Sequence, residues 1–210
     1  KRTVNLHFPW SNGRIYWDCG NNGTSSYDRI DKVASLNEYA GQWNHWAFTK
    51  NAITGNMKIY RNGVLWHSGT GKTKAMNIES FMLGSNGDGT GYFWHGKIKE
   101  FRVFNQELSD SIILSWMHRR IDSTHPGYIN LAAYYPLYEG SGNFANDYSL
   151  SHLTPSGFQA NFNGNVQWQK TRGEDIHTFF HPRPGSNGGY GRTSIVFYQG
   201  DYLVSTTNDT

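Results

Sequence analysis

Five aromatic side chains lie close to predicted turns, where a ligand could reach them. Tryptophan and tyrosine rings stack on the apolar faces of sugar rings, and neighbouring Asn, Asp and Gly turns can hydrogen-bond sugar hydroxyls. The alternative is core packing, because Trp and Tyr are usually largely buried. We predict ligand-binding residues among these five turn-proximal aromatics: Trp10, Trp17, Trp66, Tyr92 and Trp94.

Two oxygen-rich turns have the composition of a calcium site. Calcium takes six to eight oxygen ligands from carboxylates, amides and carbonyl groups. Asp18 with Asn21 could supply some of them, and Asp88 in the 86–89 turn could supply others. Neither turn has EF-hand spacing, and Asp/Asn/Gly sequences also form ordinary turns. Calcium is therefore one reading of these residues and turn formation is the other.

Catalytic patterns are missing from the sequence. Glycoside hydrolysis needs a pair of carboxylates, but the predicted strand over 96–104 has Glu100 as its one acid, with Arg102 or a rim residue as its expected ion-pair partner. The nine histidines show no zinc-binding spacing, and the 69–73 run lacks the first glycine of a phosphate-binding loop, since Trp66 occupies that position. We predict that the chain is not an enzyme.

The composition indicates short strands joined by tight turns. The chain of 210 residues has 24 Gly, 13 Tyr, 12 Phe and 8 Trp. Its net charge of +3 is too small to favour nucleic acid, and no apolar run is long enough for membrane insertion. The single cysteine, Cys19, excludes an internal disulfide.

Alternation and turn residues predict a mainly β chain. The strongest signal is Asn62-Gly63 between two alternating runs, which predicts a two-residue hairpin. Ser109 is placed to cap one short helix, and residues 19–38 and 84–91 are predicted as loops. The predicted strands cover 4–8, 14–18, 42–49, 57–61, 64–67, 78–83, 92–104 with an interruption at Gly96, 131–137, 193–198 and 202–205. The predicted core contains Trp43, Trp46, Phe48, Ile59, Phe101 and Val103.

Residues 43–49 (WNHWAFT) and 57–63 (MKIYRNG) resemble the central hairpin of laminin G-like and pentraxin-like jelly rolls. Residues 83–85, 96–105 and 108–109 are similar to the closing strand and short helix of the same family. The resemblance covers roughly residues 1–120. It implies a concanavalin A-like fold, an antiparallel two-sheet β-sandwich with one short helix and a partly irregular C-terminal segment.

The resemblance also implies a division of the chain. Residues 1–125 are expected to form the jelly-roll module, truncated at its N-terminus because the family's opening strands are not recognisable there. Residues 126–210 are expected to form a trailing strand-and-loop segment. Alternatively a second module begins there, since 131–142 and 147–149 look like the family's opening strand. Asp147 becomes a metal candidate through this resemblance, whereas Lys99, where relatives often carry an acid, weighs against a metal.

By resemblance, the function is expected to be non-catalytic recognition or adhesion outside the cell or at its surface. Such modules occur in secreted bacterial multidomain proteins and bind glycans, cell-surface proteins or neighbouring domains of their own chain. The alternative is a structural, accessory domain packed on a catalytic domain of a secreted glycan-processing enzyme. Fold resemblance alone does not decide between them.

Overall fold

The computed structural model describes residues 4–76, 81–149, 159–162, 166–168 and, for the backbone alone, 192–200. In chain order the elements are β1 (Val4–His7), β2 (Arg14–Cys19), β3 (Arg29–Val33), α1 (Leu36–Tyr39), β4 (Asn44–Asn51), β5 (Asn56–Arg61), β6 (Val64–Gly69), β7 (Lys97–Phe104), α2 (Asp110–Trp116), a 3₁₀ turn (Tyr128–Asn130), β8 (Leu131–Tyr135), β9 (Phe144–Asn146), β10 (Gln159–Asn161) and β11 (Arg192–Gly200).

Two antiparallel sheets pack face to face, which confirms the predicted β-sandwich. The smaller sheet has the order β1-β2-β3, and the larger has the order β6-β5-β4-β11-β7-β8. Ile15, Trp17 and Ile30 of the smaller sheet share one apolar core with side chains of the larger sheet. The buried side chains of the larger sheet include the predicted core residues Trp46, Phe48, Ile59, Phe101 and Val103.

The predicted hairpin joins β5 to β6. Asn62 and Gly63 have φ angles of 51° and 78°, the conformation that a two-residue turn with two positive φ values requires. Antiparallel pairing of β5 with β4 places Ile59 opposite Phe48, so both point into the shared core. The Asn-Gly turn places Arg61 opposite Val64 across β5 and β6, whereas the separate turn over 52–55 connects β4 to β5.

The back face of the larger sheet forms a second core beneath α2. Ser109 caps this helix as predicted, because its hydroxyl accepts a hydrogen bond from the backbone N–H of Ile112. Ala47, Phe104 and Ile113 lie in this core. With both of its faces covered, β4 is buried along its whole length.

Two histidines are buried at this back face. Burial, with a contribution from the charge of Arg102, lowers the pKa of His45 to about 3 and that of His125 to about 4. His125 stacks on Phe104, and its Nδ1 accepts a hydrogen bond from the backbone of Gly127. Both imidazoles are therefore neutral at physiological pH.

A buried ion pair fastens one end of the sandwich. The side chain of Lys50 is 0% exposed, and its Nζ lies 2.6 Å from Asp28 Oδ2 and 2.7 Å from the carbonyl oxygen of Cys19. The same Asp28 oxygen accepts the backbone N–H of Lys74 at 2.8 Å. Burial raises the pKa of the Cys19 thiol well above its usual range.

Several local predictions were wrong. The stretch predicted as a loop over 19–38 contains β3 and α1, whose few apolar residues give only a weak periodic signal. The segment 92–96 is not part of a strand, and β7 begins only after Gly96. Residues 81–83 are irregular, and 77–80 lie outside the described residues. Trp43 is half-buried beneath Lys99 and lies outside the core.

Strands from the C-terminal part of the chain join the larger sheet. β8 pairs with β7, and β11 pairs with both β4 and β7, in agreement with the strand predicted over 193–198. β9 and β10 form a separate two-stranded sheet. The boundary at residue 125 stays a prediction, but hydrogen-bonded pairing crosses it. The strand predicted over 202–205 lies outside the described residues. No helix in the described part of the chain is long and apolar enough to span a membrane.

Candidate binding surface

The outer face of the three-stranded sheet carries polar and aromatic side chains. Alternation sends Leu6 and Trp17 inward to the core and sends their neighbours outward. His7 lies opposite Tyr16 across β1 and β2, and Tyr16 lies opposite Asp31 across β2 and β3. This face is the floor of the candidate site.

Six side chains in sequential contact form what we term the aromatic band: Tyr92, Trp10, His7, Tyr16, Arg29 and Tyr27. Ring centroids are 5.2 Å apart between Tyr92 and Trp10, 4.6 Å between Trp10 and His7, and 5.8 Å between His7 and Tyr16. The Arg29 guanidinium lies 4.6 Å from the Tyr16 ring centre and 5.2 Å from that of Tyr27. The band therefore crosses all three strands.

Tyr92 is held at one end of the band by a hydrogen-bonded loop. Asn86 Oδ1 accepts the backbone N–H groups of Thr90 and Gly91, and the N–H of Trp94 donates to the carbonyl of Gly84. Tyr92 itself has a φ of 54°, which is strained for a bulky residue, and its side chain is 75% exposed. Strain that presents a large ring to solvent is typical of functional positions.

The charges on this face are paired with one another. Arg29 makes a two-pronged contact with Asp18, at 2.5 Å and 2.8 Å, and this hydrogen bonding raises the pKa of Arg29. Arg14 pairs with Asp31 across the sheet through a single contact from Nε. The ion pairs orient the Arg29 guanidinium over the tyrosine rings and leave the face without net charge.

The structure brings together two of the five predicted ligand-binding aromatics. Trp10 and Tyr92 are neighbours in the band. Trp94 lies behind them, half-buried, with its ring 5.6 Å from Phe8, which in turn contacts Trp46 of the core. Trp94 anchors the loop that carries Tyr92.

The prediction was wrong for Trp17, which is buried, whereas Trp66 is not a member of the band and its assignment stays a prediction. Trp17 is 0% exposed and packs on Phe48, because it points to the core side of β2. Trp66 is half-buried, with Lys32 4.5 Å from its ring centre, and its indole N–H donates to Glu38. Burial raises the pKa of Glu38, but hydrogen bonds from Trp66 and Ser35 outweigh it and lower the pKa. Trp66 thus fastens α1 to the sandwich.

The four predicted metal ligands are not gathered into one site. Both oxygens of Asp18 bind Arg29, and Asn21 Oδ1 accepts the backbone N–H of Gly23. These contacts give Asp18 and Asn21 structural roles. Among the described residues, no group of three or more His, Cys, Asp or Glu side chains is arranged to hold a metal.

The two remaining metal candidates also order turns. Asp88 Oδ1 accepts the hydroxyl and backbone N–H of Thr90, and these hydrogen bonds lower the pKa of Asp88. Asp147 Oδ1 accepts the backbone N–H groups of Tyr134 and Ser149. Both carboxylates accept a hydrogen bond from the backbone N–H two residues later, which is a turn contact that the alternative interpretation of these sequences expects.

Glu100 forms the expected ion pair. Its Oε2 lies 2.7 Å from the Arg102 guanidinium and also accepts the Tyr134 hydroxyl at 2.8 Å. Arg102 donates onward to the carbonyl oxygens of Trp116 and Arg119 at the end of α2. Glu100 is therefore a member of a structural network that closes the helix.

Sequence reasoning missed three aromatic or imidazole members of the band and its arginine. His7 and Tyr16 occupy outward positions of correctly predicted strands, so alternation could have identified them. Tyr27 and Arg29 fell in the stretch predicted as a loop. No short-range pattern places Arg29 in the band, because it contacts the Tyr16 ring of the neighbouring strand β2.

The sandwich, its hairpin and its capped helix define a jelly-roll lectin-like class of domain. Residues 2–114 match a laminin G-type family model described as the concanavalin A-like lectin/glucanases superfamily, and the chain belongs to this family. No curated protein and no solved structure matches the chain. The match confirms the family identified from the sequence motifs. It supports a carbohydrate-binding or structural module.

Proposed function

We propose that the chain is a non-catalytic glycan-recognition module that binds through the aromatic band. The observation that carries the proposal is the exposed Tyr92 ring, held in a strained conformation against Trp10 by an ordered loop. A sugar ring stacked on these two side chains would cover apolar surface on both partners. Hydroxyls of the same sugar would reach the neighbouring Asn12 amide and the Tyr16 hydroxyl, which already contact each other at 2.8 Å.

The charged groups of the face support binding over catalysis. A glycosidase needs one carboxylic acid that donates a proton and one carboxylate that acts as base or nucleophile. Asp18 and Asp31 are instead held by arginines, and Glu100 lies in the network beneath α2. We propose that the module acts outside the cell or at its surface, within a larger exported protein, as an adhesion or targeting unit for glycans or glycosylated surface proteins.

Affinity gel electrophoresis and a glycan array test this proposal. Trp10→Ala and Tyr92→Ala should each weaken binding by about five- to thirtyfold, because losing one stacked ring costs roughly 1–2 kcal/mol. Phe144→Ala is the matched control, since Phe144 is an exposed aromatic on β9 outside the band. Retention of full binding by both band variants would refute the assigned site, and the lack of any glycan ligand would refute the function.

A second candidate function is an accessory domain packed on a neighbouring domain. It is favoured by exposed apolar side chains at Phe81, Met82, Leu83 and Phe93. Hydrogen exchange tests it by comparing the isolated chain with the longer polypeptide that carries it. The accessory role predicts strong protection of amides 81–83 and 93 in the longer polypeptide. Equal exchange in both would contradict it.

A further inference from the structure

The arrangement of charge on the band bears on what kind of glycan it accepts. Arg14 and Arg29 are the cations among the described outward-facing residues of β1 to β3, and each is bound by a carboxylate of the same face. Each guanidinium is already paired with a carboxylate of the same face, so an anionic sugar that approached Arg14 or Arg29 would come next to Asp31 or Asp18. Repulsion from that carboxylate would offset the attraction of the arginine.

The loop at the end of the band reinforces this selection. Asp88 lies four residues before Tyr92 in the same loop, and hydrogen bonds from Thr90 lower its pKa. Its negative charge disfavours sulfated, sialylated or uronic acid ligands near the exposed ring. The paired charges of this face and the negative charge of Asp88 therefore disfavour anions locally, although the chain carries a net charge of +3.

The layout of the band bears on the length of the ligand. The contacts run from the 84–94 loop across β1 and β2 to Arg29 of β3 and then to Tyr27, which is 39% exposed. Adjacent strands are roughly 5 Å apart, so a series that crosses three strands is wider than one sugar ring. A ligand that uses both ends of the band must be a chain of several units.

We infer that the ligand is an uncharged, extended polysaccharide, bound along its chain and not by a terminal sugar. This inference rests on the proposed glycan-binding function and adds the substrate class. Stacking along the band supplies the affinity, and the internally paired charges exclude acidic chains.

The test uses two sets of soluble polysaccharides in affinity gels. The neutral set contains β-glucan, xyloglucan, arabinoxylan and galactomannan, and the acidic set contains polygalacturonate, alginate and chondroitin sulfate. We expect retention by at least one neutral polymer, with a change in Kd of less than about twofold between roughly 0.05 and 0.5 M sodium chloride, because uncharged contacts are not screened. Retention should be weakened by Trp10→Ala and by Tyr27→Ala, which alter opposite ends of the band.

Oligosaccharides cut from the retained polymer test the length. A hexasaccharide should bind at least about tenfold more tightly than the disaccharide, since each further stacked ring adds roughly 1 kcal/mol or more. Equal affinities for the two would overturn the extended-chain inference. Retention by acidic polymers alone, weakening steeply with salt, would overturn the neutral class while leaving glycan binding intact. Retention by neither set, together with an empty glycan array, would overturn the proposed function itself.

Discussion

Asp28→Asn should destabilise the protein far more than its single-atom change implies. The substitution keeps the shape of the side chain, and an amide oxygen can still accept hydrogen bonds from Lys50 Nζ and from the backbone N–H of Lys74. What disappears is the negative charge beside an ammonium group that is 0% exposed. At 2.6 Å and an effective dielectric constant of about 20, the lost attraction is at most roughly 6 kcal/mol.

Breaking a buried pair from one side costs about 3–5 kcal/mol, so we expect a loss in that range and a fall in Tm of roughly 6–20 °C. Urea unfolding followed by tryptophan fluorescence measures the change in the free energy of unfolding. Asp31→Asn is the matched control, because its partner Arg14 is partly exposed and such pairs contribute about 0–1 kcal/mol. If the two variants lose the same free energy within about 1 kcal/mol, Lys50 is not isolated from water and the reasoning fails.

Four further predictions concern backbone space, pH, metal and thiol chemistry. Gly20→Ala should lower the free energy of unfolding by roughly 2–5 kcal/mol, because the new Cβ would lie 2.1 Å from the carbonyl oxygen of Lys74. Gly71→Ala is the control: Gly71 has a similar φ but open space around it, so its loss should be about 1–2 kcal/mol. Equal losses in thermal melts would contradict this prediction. The folded pKa values of about 3 for His45 and about 4 for His125 lie below the unfolded value, so the unfolded state binds more protons as the pH falls. The free energy of unfolding should therefore decrease below about pH 6.5, by up to about 1.4 kcal/mol per pH unit for each histidine. Urea unfolding at a series of pH values should show a shallower dependence on pH for His125→Gln, and an unchanged dependence would refute the assignment. Chelation of calcium with EDTA should shift neither Tm nor glycan affinity, because Asp18, Asp88 and Asp147 already accept hydrogen bonds from protein groups. A clear fall in Tm or in affinity with EDTA, restored by added calcium, would contradict this prediction. Cys19 should resist thiol reagents until the protein unfolds, because burial raises its pKa, and labelling that is as fast in buffer as in urea would disprove its burial.

The sequence predicted best those features that depend on neighbouring residues. The Asn62-Gly63 turn, the Ser109 cap and the alternation around Trp46 each leave a signal within a few positions. These elements fixed the hairpin, the helix and most of the shared core. The family resemblance then supplied the arrangement of the two sheets.

Features that depend on distant contacts were not predictable in the same way. Turn proximity could not reveal that Trp17 points inward or that Lys32 covers Trp66, because both facts follow from sheet pairing. The Lys50–Asp28 pair joins β4 to a loop that looks like an ordinary polar connection. The band itself contains residues from three strands and three loops, so no local pattern marks it.

The placement of β11 has a consequence for how the chain is made. This strand lies between β4 and β7, although both of those precede it by a long stretch of sequence. While the nascent chain leaves the ribosome, β4 and β7 each present an unpaired edge until the 192–200 segment arrives to bridge them. The larger sheet therefore closes late, through contacts of high sequence separation, and a chaperone that shields these two edges during synthesis would favour correct assembly.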